Sequence, residues 1–155
     1  MKNSILIILA LILCAGCAAT GQKFVPANTM KSDEGIIYVY RPHRAANSGG
    51  YPVITLDGIK QGVLKDGGYL VVRAREGKHK VEQQYSIWNW DINANPVTLN
   101  IKPGNNYYVR LLTDASASIE MVGNVRMLMT KRGASFVSID ESLALEEIRN
   151  LNYSK

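Results

Sequence analysis

The side chain with the most evident chemistry is the thiol of Cys17, which follows Cys14, Ala15 and Gly16 behind an unbroken apolar run at residues 5–13. A thiolate is readily alkylated to a stable thioether, and small neighbours admit the backbone to a peptidase cleft. Cys14 and Cys17 are the two cysteines of the chain. With Cys14 lost in a leader and Cys17 alkylated, the mature domain keeps no thiol for a disulfide, a metal or catalysis. Its two histidines, His43 and His79, stand far apart without paired acidic ligands, so no metal site is expected. No serine lies in a Gly-x-Ser-x-Gly elbow, and Asp140, Glu141, Glu146 and Glu147 fall on a predicted helix whose dipole and solvent account for them. The expectation is a protein that is not an enzyme and holds no cofactor.

Binding chemistry has two places to reside. Arg41, His43 and Arg44 form a basic segment ahead of the Gly- and Asn-rich residues 45–50, suited to a phosphate or carboxylate or else simply a solvated loop. Trp88 and Trp90, if their stretch is extended, project from one face and offer a stacking surface for a sugar ring; the alternative is that both cover the sandwich as core or rim. His79, after Gly77 and Lys78, reads as stabilising a turn. Met121, Met127 and Met129 read as core filler.

These residues need a scaffold. The chain has 155 residues, 46% apolar and 20% charged, which suits one folded domain and not a disordered tail. Its net charge of +5 is spread without a dense basic block or a reader motif, which argues against a nucleic-acid partner and leaves mild attraction to anionic lipid. The apolar run is too short to span a bilayer, which takes about 20 residues, but suits a signal peptide over residues 1–16. Ala15-Gly16-Cys17 resembles the lipobox of bacterial lipoproteins, with Cys14 where that motif has Leu. The resemblance implies diacylglyceryl attachment and palmitate at Cys17, cleavage before it, and, with Ala18 next, an outer-membrane anchor facing the periplasm. Residues 17–35 are polar and irregular and read as a flexible tether.

From residue 36 to 155, short runs of Val, Ile and Tyr are broken by Gly, Pro, Asn and Asp, the all-β spacing. Strands are expected at 36–41, 51–56, 60–64, 68–74, 79–85, 97–101, 107–113, 118–122, 125–130 and 134–137. Asp57-Gly58, Asp66-Gly67-Gly68, Glu76-Gly77-Lys78 and Pro103-Gly104-Asn105 supply the turns. Ser138 and Glu141 are spaced as a capping box for one short helix with a Leu145, Ile148 and Leu151 stripe. Together these predict an antiparallel β-sandwich with one C-terminal helix.

Three pieces, IIYVYRP at 36–42, LDG at 56–58 with GYLVV at 68–72 and EGKH at 76–79, and PGNNYYVR at 103–110, resemble a family of small bacterial lipoproteins whose domain is of unknown function. The likeness implies a sandwich of the immunoglobulin-like, transthyretin or carboxypeptidase-regulatory kind, and it transfers no catalytic residue. The leading expectation is a membrane-anchored envelope module that binds another envelope protein through a sheet edge or the Trp88–Trp90 region. Alternatives are a peptidoglycan-binding module using Trp88, Trp90 and Arg41 or Arg44, and a lipoprotein of a secretion apparatus.

Overall fold

The computed structural model describes residues 18–27, 32–44, 50–86, 90, 92–122 and 125–154. Residues 1–16, read above as a leader, Cys17 and Trp88 lie outside the described residues, as do the side chains of Met121, Met127 and Met129. The strands are β1 (Glu34–Arg41), β2 (Val53–Leu56), β3 (Ile59–Val63), β4 (Gly68–Arg75), β5 (Gly77–Gln84), β6 (Ala94–Asn95), β7 (Val97–Ile101), β8 (Asn106–Val122), β9 (Val125–Ile139) and β10 (Asn152–Tyr153). The helix, α1 (Glu141–Ile148), precedes β10. A six-stranded sheet in the order β10-β4-β1-β8-β9-β6 stacks on a four-stranded sheet in the order β3-β2-β5-β7. The chain is thus mostly β, in two antiparallel-rich sheets with one short helix, as its turn spacing predicted.

The core follows from strand alternation. Ile37, Val39, Leu70, Val72, Val109, Leu111 and Phe136 of the larger sheet meet Ile54, Leu56, Val81, Leu99 and Ile101 of the smaller one. The other face of β1 carries Ile36, Tyr38 and Tyr40, which α1 covers through Ala144 and Ile148. β1 is therefore buried on both faces, the physical reason its sequence is apolar without alternation. Tyr40 donates to Glu147 at 2.6 Å and Tyr108 to Glu141 at 2.9 Å, so the helix is held by hydroxyl–carboxylate bonds as well as by apolar contact.

The turns take the geometry their residues favour. Asp57 and Gly58 both have positive φ, 52° and 80°, as a two-residue type I′ hairpin between β2 and β3 requires. His79 accepts its predicted role, with Nδ1 2.6 Å from the Asp57 carboxylate and Nε2 3.0 Å from the Arg75 carbonyl.

Four expectations are corrected. The pieces 107–113 and 118–122 are one strand, β8, and 125–130 and 134–137 are one strand, β9. They pair without interruption from Tyr108 opposite Ile139 to Val122 opposite Val125, the small or polar, exposed residues at 114–118 keeping the ladder although they bury nothing. The pairing is not wholly antiparallel, since β1 runs parallel to β8, β4 to β10 and β6 to β9. Ser138 belongs to β9 and Asp140 is the N-cap, so there is no capping box; the Glu141 carboxylate serves Tyr108 instead. Residues 18–27 are not a free tether. Gly21 donates to the Tyr153 carbonyl at 3.1 Å and Phe24 to the Leu151 carbonyl at 3.0 Å, while the Phe24 ring packs edge-on against Tyr38 and Tyr69.

Two outcomes follow. Gly104, at φ 77° in the β7–β8 turn, has open space around its absent Cβ, so Gly104→Val carries backbone strain alone and should destabilise by about 1–3 kcal/mol in a urea melt. Burial, then the bonds to Glu147 and Glu141, raise the Tyr40 and Tyr108 hydroxyls above the ordinary tyrosine range. Groups so raised contribute stability that is complete below the unfolded value of about 10 and declines as pH climbs above it. Tyr40→Phe should therefore cost about 1 kcal/mol at neutral pH and make the alkaline decline of the melting temperature shallower.

Candidate functional site

Where β1 ends, the sequence places a cation in an apolar strand, and the fold closes over it. Arg41 is 1% exposed, and burial pulls its guanidinium below its ordinary value while Asp66 opposes that pull. A buried cation needs compensation from several sides. Its Nη1 donates to the Gly50 carbonyl at 2.7 Å, its Nε lies 3.7 Å from the Asp66 carboxylate, and its Cζ sits 4.9 Å from the centre of the Trp90 ring.

Asp66, in the connection from β3 to β4, is the hub. It is itself 1% exposed. One carboxylate oxygen pairs with Nδ1 of His43, whose side chain is otherwise exposed, and the other accepts the Arg44 backbone N–H at 3.2 Å. Its carbonyl accepts the Ala19 N–H at 3.0 Å, and Ala18 forms a parallel bridge to it. One aspartate thus ties together the exit of β1, the entry to β4 and the N-terminal segment.

Beside it opens a cleft of about 350 Å³ lined by Ala18, Lys23, His43, Asp66, Gly67 and Asn150, among others. Lys23 Nζ donates to the Asn150 carbonyl at 2.9 Å across it. Among the described residues the lining has no hydroxyl or thiol side chain. Among the described residues there is no group of three or more His, Cys, Asp or Glu side chains placed to hold a metal ion. The cleft's polar groups are Lys23, His43, Asp66, Asn150 and Asn152.

The surface expected from sequence is only partly assembled. His43 and Arg44 are exposed beside the cleft, but Arg41 lies beneath it as a structural cation. Trp90, 3% exposed, packs into the core and under Arg41. Ser86 and Trp90 exchange both backbone hydrogen bonds in an antiparallel bridge. Trp90 therefore offers no exposed ring for stacking, and Trp88 lies outside the described residues. Sequence reasoning missed Asp66, which it took for a turn residue. The available signal was Arg41 itself, because an arginine ending a strand that is apolar on both faces needs a carboxylate from elsewhere in the chain.

Glycine is required at one further position here. A Cβ on Gly21 would collide with the Tyr153 carbonyl oxygen, so this residue type allows the N-terminal segment to lie against β10.

Comparison with known proteins returns one result. A family model described as "Protein of unknown function (DUF2846)" matches residues 31–125. No curated protein and no solved structure matches the chain.

Removing Asp66 leaves Arg41 buried without its carboxylate. Asp66→Ala should destabilise by about 3–5 kcal/mol, read as a fall in the urea midpoint. An effect below about 1 kcal/mol, the range of an exposed ion pair, would contradict the hub.

Proposed function

The chain belongs to the DUF2846 family, and from that premise we propose that it is a lipid-anchored, non-catalytic module of the bacterial cell envelope that presents a sheet edge to another envelope protein. The observation that carries this reading is the position of Ala18. Ala18, peptide-bonded to Cys17, is bridged to Asp66 inside the domain, so lipid on Cys17 would hold the folded body at the bilayer surface with almost no slack. The leader-like residues 1–16 and the lipobox-like Ala15-Gly16-Cys17 supply the reason to expect that lipid. Two or three acyl chains, at about 0.8 kcal/mol per buried CH₂, make such attachment durable.

The edge that supports partner binding is β3, the outer strand of the four-stranded sheet. Its Ile59, Lys60 and Gln61 are all exposed, Ile59 to 70%. An outer strand carries backbone donors and acceptors for an added strand, and an exposed isoleucine gives that strand an apolar contact. The Lys60 charge restrains indiscriminate pairing.

Expression in a bacterial host tests both parts. Cys17→Ser should leave the chain at unprocessed mass, without incorporated palmitate, whereas the parent is cleaved and labelled. A photo-crosslinker at Ile59 should capture a discrete envelope protein that one placed at Lys102 does not; equal capture from both positions refutes the edge.

A further inference from the structure

We infer that the β8–β9 ribbon is a second membrane contact, an arm that lies in the lipid headgroup interface beside the anchor. The inference rests on the proposed lipid at Cys17 and goes beyond it by assigning an orientation and a second contact surface.

The direction of the arm follows from register. β1 runs parallel to β8, with Ile36 beside Asn106 and Tyr40 beside Arg110, so β8 beyond Arg110 continues past the end of β1. At that same end Arg41 pairs with Gly68, Gly68 with Asn152, and Ala18 with Asp66. The arm and the residue joined to Cys17 therefore leave the larger sheet at one end. The opposite end carries the β7–β8 turn, where Gly104 donates to the Glu34 carbonyl.

The last strand neighbour of the ribbon is β6, which pairs with Ala134 and Ser135. Beyond it, Asp114–Val122 and Val125–Gly133 pair only with each other among the described residues. At about 3.4 Å per residue this run reaches roughly 27 Å. A lone two-stranded ribbon is marginal in water unless something covers it. Residues 114–118 are exposed, and Leu128, opposite Ile119, is 69% exposed.

The sequence indicates what covers it. The arm contains Ile119, Met121, Val122, Val125, Met127, Leu128 and Met129, with Arg126, Lys131 and Arg132 outnumbering Asp114 and Glu120. Many apolar residues with a small excess of cations suit the boundary between acyl chains and anionic headgroups. The arm does not cross the bilayer, because two strands leave both outer edges unpaired and hydrocarbon offers nothing to satisfy them. The occupant is thus the membrane surface that the anchor already brings to this end of the sheet.

The test uses the full chain, purified from membranes and reconstituted into phosphatidylethanolamine–phosphatidylglycerol vesicles. With Cys14 removed and Cys17 alkylated, an introduced cysteine is the only free thiol. Leu128→Cys, at an exposed position, and Lys102→Cys, at the opposite end, are each labelled with an environment-sensitive fluorophore, and the Cys17 lipid is weighed by mass spectrometry in the same samples. The expected result is blue-shifted emission at position 128 that doxyl-lipid quenches, and water-like, unquenched emission at position 102. Lipid on Cys17 with water-like emission at position 128 overturns the arm and leaves the anchor standing. A blue shift that doxyl-lipid fails to quench, present also without vesicles, overturns it in favour of arm-to-arm contact between copies. Absence of the Cys17 lipid overturns the proposed anchor, and the inference built on it falls too.

Discussion

The structure depends on one buried cation. Placing Arg41 at the end of a strand covered on both faces forces the rest of that corner to supply what water no longer does. The Gly50 carbonyl, the Asp66 carboxylate and the face of Trp90 each take part of the charge. Asp66, drawn inside by this demand, has its remaining valences free for His43, the Arg44 amide and the N-terminal segment. Compensation of one charge thereby positions three stretches of chain distant in sequence.

A second layer of consequence comes from tyrosines. Tyr38 stacks on Tyr108, and Phe24 and Tyr153 pack edge-on to Tyr69, filling the outer face of the larger sheet. Aromatic pairs of this kind contribute about 0.5–1.5 kcal/mol each beyond the area they bury. The hydroxyls would be costly to bury alone, and they reach Glu141, Glu147 and the Ala27 amide. The same face that stabilises the helix also holds residues 18–27. Fixing that segment is a packing outcome, not a property of its composition.

The N-terminal segment enters at one end of the larger sheet, the polar cleft opens there, and the long ribbon projects from there. The β3 edge belongs to the other sheet. In the proposed role, that end of the larger sheet would face the bilayer and the β3 edge the partner protein.

The sequence by itself determined what depends on neighbours along the chain. Alternation at 97–101, the doubly apolar 36–41 and 68–72, and the glycines at 58, 67, 77 and 104 reported the strands and turns, since φ preference and side-chain period are local. Tertiary structure alone decided that Arg41 and Trp90 are buried together, that Asp66 is a hub, that residues 18–27 dock, that β1 and β8 run parallel, and that β8 and β9 outrun the sheet. Each depends on what lies opposite a residue in space, and a partner such as Asp66 for Arg41, brought across the β2–β3 hairpin, leaves no periodic trace in the chain.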